Sequence, residues 1–181
     1  GRDYLDLESF HQAGIKVTTL QKILAERNQF LAMDPPNPGS ATIGGTVAAN
    51  INGARRMLYG GMRDLVIGMK MALADGRQIK AGGKVVKNVA GYDMCKLFVG
   101  SLGTLGIITE VTFKLAPIPE SAATLVVSGP LAQALRLVDE LSRSPLLPAA
   151  VAVLSAGLSK AAGTAPETPS ESSEPAFAAA G

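Results

Sequence analysis

Thr42-Ile43-Gly44-Gly45-Thr46-Val47-Ala48-Ala49-Asn50-Ile51-Asn52-Gly53 is the stretch on which the fold turns. Paired glycines open it, small residues fill its middle and Gly53 closes it. This reads as a tight glycine turn opening a short helix, with Gly53 as terminator. Upstream lies Asp34-Pro35-Pro36-Asn37-Pro38-Gly39-Ser40. Its prolines cannot sit inside a helix, so a stiff, extended loop is expected. A second glycine cluster, Gly100-Ser101-Leu102-Gly103-Thr104-Leu105-Gly106, runs straight into Ile107-Ile108-Thr109-Glu110-Val111-Thr112-Phe113-Lys114-Leu115. That β-branched run, with partial alternation, reads as a strand.

Glycine lets main chain approach a ligand closely, because no Cβ intrudes. Successive bare N–H groups beside a helix start then suit an anion such as phosphate. Two familiar phosphate loops fail on spacing. Gly83-Lys84 is followed by Val85 and has Gln78 where a Walker A loop needs glycine. The second cluster is GxxGxxG leading into a strand, not the GxGxxG between strand and helix of a Rossmann fingerprint. Spacing alone leaves two readings open: a dinucleotide cradle of another architecture, or plain turns.

Working outward, residues 18–31 predict a helix, with Thr18 and Gln21 at capping-box spacing and Leu20, Ile23, Leu24 and Leu31 as its stripe. Tyr59-Gly60-Gly61 reads as a turn. Residues 66–74, Asp75-Gly76 and residues 77–80 read as a hairpin. Residues 93–99 predict a short helix. Pro117 and Pro119 mark a boundary, beyond which a strand (123–128), an amphipathic helix (130–141) and a strand (149–154) form one β-α-β unit. From about residue 156 the chain is Ala, Gly, Pro, Ser, Thr and Glu, a composition expected to be disordered. The expected organisation is residues 1–117, 118–155 and a low-complexity tail at 156–181.

Composition narrows the function. Apolar residues make up 47% of the 181, enough for a core, and charges interleave to a net +2, so no basic footprint for nucleic acid is present. One cysteine and one histidine exclude an intramolecular disulfide and leave too few ligands for a zinc site. No run reaches the ~18 apolar residues of a membrane span. Gly1-Arg2-Asp3-Tyr4-Leu5-Asp6 does not read as a signal peptide, and no initiator Met precedes it, as expected of a piece of a longer chain. The default compartment is the cytoplasm.

Pro38 to Asp64, with Thr42-Ile43-Gly44-Gly45, Asn50, Gly53 and Tyr59-Gly60, resembles the pyrophosphate-contacting stretch of the FAD-binding fold shared by vanillyl-alcohol oxidase and p-cresol methylhydroxylase (PCMH). Residues 100–110 resemble that family's later GSxGTLGIIT segment. Between them, Lys84-Val85-Val86-Lys87-Asn88-Val89-Ala90-Gly91-Tyr92-Asp93 is similar to the version in FAD-binding subunits of bacterial glycolate oxidases. The resemblance covers about residues 13–117. It implies an α+β fold: the distal half of a PCMH-type FAD-binding domain, with a mixed or antiparallel sheet and flanking helices. Residues 118–155 are similar to the start of the family's β-α-β substrate or cap domain.

The resemblance also implies roles. Main chain of Thr42, Ile43, Gly44 and Gly45 would line the pyrophosphate, with Asn50 and Gly53 shaping the wall beside it. Gly103, Thr104, Leu105, Gly106, Ile107 and Ile108 would pack along flavin and adenosine. Pro38 and Ser40 would sit near the ribityl chain or isoalloxazine. No residue matches the family's covalent attachment positions, so noncovalent FAD is implied. The implied partners are a sister FAD subunit, an iron-sulfur subunit and a small 2-hydroxy acid, at the inner membrane only through those partners. The catalytic residues are not identified. Cys95, beside Leu97 and Phe98, reads as a buried hydrophobe. His11 reads as a solvated histidine, and Arg55 and Arg56 as a solvated face or phosphate contacts.

Overall fold

The computed structural model describes residues 13–82, 94–155, 157–158 and, as backbone, 176–180. The chain divides into two compact units, Gly1–Pro119 and Glu120–Gly181.

The first unit is built on an antiparallel sheet. Strand β2 (Val66–Ala72) lies between β3 (Gln78–Gly82) and β4 (Ile107–Phe113), while the two-residue β1 (Gln29–Phe30) pairs with β5 (Ala116–Pro117). The β2–β3 connection closes as a hairpin, with the Leu73 N–H donating to Arg77 O and the Gly76 N–H to Leu73 O. Gly76 has φ +83°, so a type I turn ends in a left-handed glycine.

The partial alternation of the 107–115 run has a structural cause. Register shifts occur between Val66 and Gly68 on β2, and between Lys70 and Met71 opposite β4, where Thr109 is the extra residue. Each bulge advances the side-chain phase by one residue. Thus Val66, Met69 and Met71 all face the core, as do Ile108, Val111 and Phe113. Lys70 Nζ pairs with Glu110 Oε2 across the strands at 2.9 Å.

Helix α1 (Val17–Ala25) buries Val17, Leu20 and Leu24. It is shorter than the expected 18–31 because Asn28 takes φ +55° and turns the chain into β1. Gln21 does not cap. Its Nε2 donates to Leu31 O (2.6 Å) and its Oε1 accepts from the Leu31 N–H (3.1 Å), so the side chain pairs with the buried strand-like run 31–33. Helices α2 (Ile43–Ala49), α3 (Arg56–Tyr59), α4 (Met62–Leu65) and α5 (Met94–Phe98) complete the unit. Cys95 is buried at 2% exposure, packed with Phe98 and Val99 in the shared core. His11, Lys84, Lys87, Tyr92 and Asp93 lie outside the described residues.

In the second unit, β6 (Val127–Pro130) leads into α6 (Leu131–Arg143) and β7 (Ala152–Ser155) follows. The expected strand at 123–128 starts later, at Val127. Strands β6 and β7 are not neighbours: β8 (Ala176–Ala180) lies between them, antiparallel to both. The tail expectation therefore differs from the structure at residues 176–180. Sheet pairing needs only main-chain donors and acceptors, which an alanine run supplies as well as any residue. Composition alone does not reveal that.

Phe113 is fully buried and Ile107, on the same strand, is 71% exposed. Phe113→Ala should lower unfolding free energy by about 3–5 kcal/mol, and Ile107→Ala should stay within about 0.5 kcal/mol of wild type. Urea titration of the two variants checks the core assignment; equal losses would contradict it.

Candidate cofactor site

The first glycine cluster is the start of a capped helix. Thr42 is the N-cap of α2, its Oγ1 accepting from the Gly45 N–H at 3.2 Å. Thr46 is buried and donates its hydroxyl to Thr42 O at 2.7 Å. The helix ends at Asn50, which takes φ +52° and ψ +40°. Gly53 is therefore not the terminator. A short polar side chain tolerates the left-handed cap. Gly53 answers a different demand: a Cβ there would lie 2.2 Å from Asp34 Cγ and 2.4 Å from Asp34 O.

Main-chain groups of α2 are held at both ends. At the N-terminal end, Ala13 is a clip: its carbonyl accepts the Gly44 N–H at 2.7 Å, and its N–H donates to Thr109 O at 3.0 Å. The bulge at Thr109 turns that carbonyl outward from the sheet edge. The Ile43 N–H donates to Ile15 O at 2.9 Å. At the C-terminal end, the second glycine cluster supplies further donors to the last helix carbonyls. The Gly100 N–H reaches Val47 O (3.1 Å) and the Leu102 N–H reaches Ala48 O (2.8 Å). The two glycine clusters are thus joined, with the second loop and β4 running from the end of α2 back to its start.

The expected site residues fall into three groups. Pro38, Ser40, Gly45, Asn50, Gly103, Thr104, Leu105 and Ile107 are exposed, and Thr42, Gly53 and Gly106 are partly so. Ile43, Gly44 and Ile108 are buried, and Ile108 pairs with Met71 inside the sheet. Several amides expected to face a pyrophosphate already have partners: Ile43, Gly44 and Gly45 all donate within the protein. Gly44 is explained by packing, since a Cβ would lie 2.7 Å from Ala13 Cβ. Gly39 and Gly103 have open space at the Cβ position, and Gly103 has φ +76°.

The chemistry of the surface fits a dinucleotide. Residues 37–46 and 100–109 contain no carboxylate, so a diphosphate meets no fixed negative charge along either loop. The Ser40 and Thr104 hydroxyls donate to Asn37 O (3.1 Å) and Ser101 O (2.7 Å), and the Ser101 hydroxyl is buried without a partner among the described residues. Leu102, Leu105 and Ile107 are 73%, 44% and 71% exposed, an apolar rim suited to planar rings. Leu102 takes φ +53° to be there. Sequence reasoning missed Asp34, whose carboxylate partners lie 19 and 21 residues away. It left Arg55 open; the guanidinium lies 5.6 Å from the centroid of Phe30.

Among the described residues no group of three or more metal-ligating side chains occurs, and no helix is long and apolar enough to cross a membrane.

Gly44→Ala should destabilise the unit by about 1–3 kcal/mol through crowding against Ala13. Ala13→Gly in the same chain should restore part of that loss, because it removes the methyl in the way. Melting temperatures of the single and double variants test the clip; no rescue would argue against it.

Residues 11–82 match the family model described as FAD binding domain. The chain is 43% identical over 124 residues to glycolate oxidase subunit GlcD of Bacillus subtilis (strain 168), covering 68% of this chain and 26% of that protein. It is 38% identical over 136 residues to glycolate oxidase subunit GlcE of Escherichia coli (strain K12), covering 75% and 39%. It is 43% identical over 115 residues to D-lactate dehydrogenase of Archaeoglobus fulgidus, covering 62% and 26%. Among solved structures, an alkyldihydroxyacetonephosphate synthase superposes with TM-score 0.79 at 20% identity, covering 99% of this chain and 36% of that one, a likeness of fold. The chain therefore spans well under half the length of these relatives, and its residues 11–82 are similar to part of an FAD binding domain.

Proposed function

We propose that this chain is part of a flavin-dependent oxidoreductase that oxidises a small 2-hydroxy acid, glycolate-like, to the 2-oxo acid. FAD is held noncovalently between the two glycine clusters. The observation that carries this reading is their junction: Ala13 ties Gly44 to Thr109, and Gly100 and Leu102 close the end of α2. When bound, FAD supplies hydride acceptance and onward electron transfer. The protein's part is to hold and orient. Thr42, Gly45, Asn50 and Gly53 form the diphosphate wall; Gly103, Thr104, Leu105, Gly106, Ile107 and the Ile108 main chain line the rings. Pro38 and Ser40 border the flavin. Ile43 and Gly44 act from beneath, by fixing α2.

Residues 1–117 are read as the later part of the FAD domain and 118–155 as the start of a substrate domain. The glycolate oxidase relatives are named as subunits. This supports a multi-subunit assembly; we propose as its other members a sister FAD subunit and an iron-sulfur subunit, in the cytoplasm or at the inner membrane through those partners. D-lactate and D-2-hydroxyglutarate dehydrogenases among the relatives keep the substrate within the 2-hydroxy acids.

A second reading is favoured by one specific observation. The Ile43, Gly44 and Gly45 amides are all engaged inside the protein. A subunit that keeps the fold without FAD, as scaffold, would show the same bonds.

Expression of the full-length gene with its neighbours discriminates the two. We expect a yellow protein whose visible flavin band bleaches with glycolate or D-lactate. A colourless protein that still co-purifies with partners would support the scaffold instead, and a yellow one that ignores every 2-hydroxy acid would remove the substrate assignment.

A further inference from the structure

Asp34 sits where the buried run Leu31–Met33 leaves the core and the exposed loop 36–40 begins. Its neighbour Pro35 is buried, and Leu31 is pinned to α1 by Gln21, so the position of Asp34 is set from the core side. Both carboxylate oxygens face main chain of a distant loop. Oδ1 accepts the Gly53 N–H at 3.0 Å and Oδ2 accepts the Arg55 N–H at 3.1 Å. These are charge-assisted bonds, stronger than neutral ones. No cation competes for the carboxylate among the described residues; the nearby Arg55 guanidinium lies over Phe30 instead. Gly53 lacks a side chain where Asp34 lies against it. From the other side, Asn52 Nδ2 donates to Asn50 O and Asn52 Oδ1 accepts the Met62 N–H, so the 50–62 segment is held at two points.

We propose that Asp34 is a positioning residue for the dinucleotide, locking the loop of Asn50 and Gly53 against the loop of Pro38 and Ser40 so that both stand at fixed separation in the cofactor-free chain. This rests on the FAD reading above. A carboxylate is needed because it offers acceptors to two amides at once. An asparagine keeps one acceptor and turns a donor toward the other N–H.

The test is FAD affinity of the full chain, expressed with its neighbours and freed of flavin. It is measured well below the melting temperature of each variant, with circular dichroism confirming the folded state. Asp34→Ala should weaken FAD binding by about tenfold to a hundredfold, the fold-change that corresponds to losing one hydrogen bond to a charged group. Asp34→Asn should weaken it less, in the same direction, and it carries the test if Asp34→Ala does not fold. Variants that fold, melt earlier and bind FAD as wild type does would overturn the inference alone, leaving Asp34 a fold residue. A wild-type chain that takes up no FAD would overturn both the inference and the reading beneath it.

Discussion

Helix α2 is only seven residues long and owes its place to main-chain bonds made from outside it. A helix this short does not hold itself together in water. The Ala13 carbonyl takes the Gly44 N–H, Thr42 caps the next turn, and Gly100 and Leu102 amides close the Val47 and Ala48 carbonyls. The glycines follow from this constraint. Gly44 is small because Ala13 is against it, and Gly100 takes φ +85° with Asn50 at its face. Bound at both ends, α2 is tied to the second glycine loop at its C-terminal end and, through Ala13, to β4 at its start.

That arrangement divides labour among the residues. Buried positions such as Ile43, Thr46 and Val47 set where the helix lies, while exposed Gly45, Gly103 and Leu105 face outward from it. The bulge at Thr109 serves both ends of the argument: it keeps Val111 and Phe113 in the core and directs a carbonyl to Ala13. Sheet register and site geometry are therefore one problem in this unit.

Much of this was legible in the residues. The hairpin at Asp75-Gly76, the helix ahead of Gly100 and the strand from Ile107 rest on local signals, and local signals survive folding; the α+β class followed from the family resemblance. What was not legible is long-range or side-chain mediated. The helix ending at Ala25 needed the left-handed Asn28. The pairing of Gln21 with Leu31 imitates a capping box at the sequence level. Asn50 took the terminating role assigned to Gly53, because Gly53 answers to Asp34 nineteen residues away. Strand β8 joins β6 and β7 through main chain, which composition does not encode. In the candidate site, the motif did not show that three of the expected amides are already bonded within the protein.

Amide hydrogen exchange on the full chain, with and without FAD, tests the central claim most directly. The account predicts that Gly44, Gly100 and Leu102 amides exchange slowly even without cofactor, and that loops 39–41 and 103–105 gain protection when FAD is added. Exchange of Gly100 and Leu102 at unstructured-chain rates, or FAD addition that protects neither loop, would contradict it.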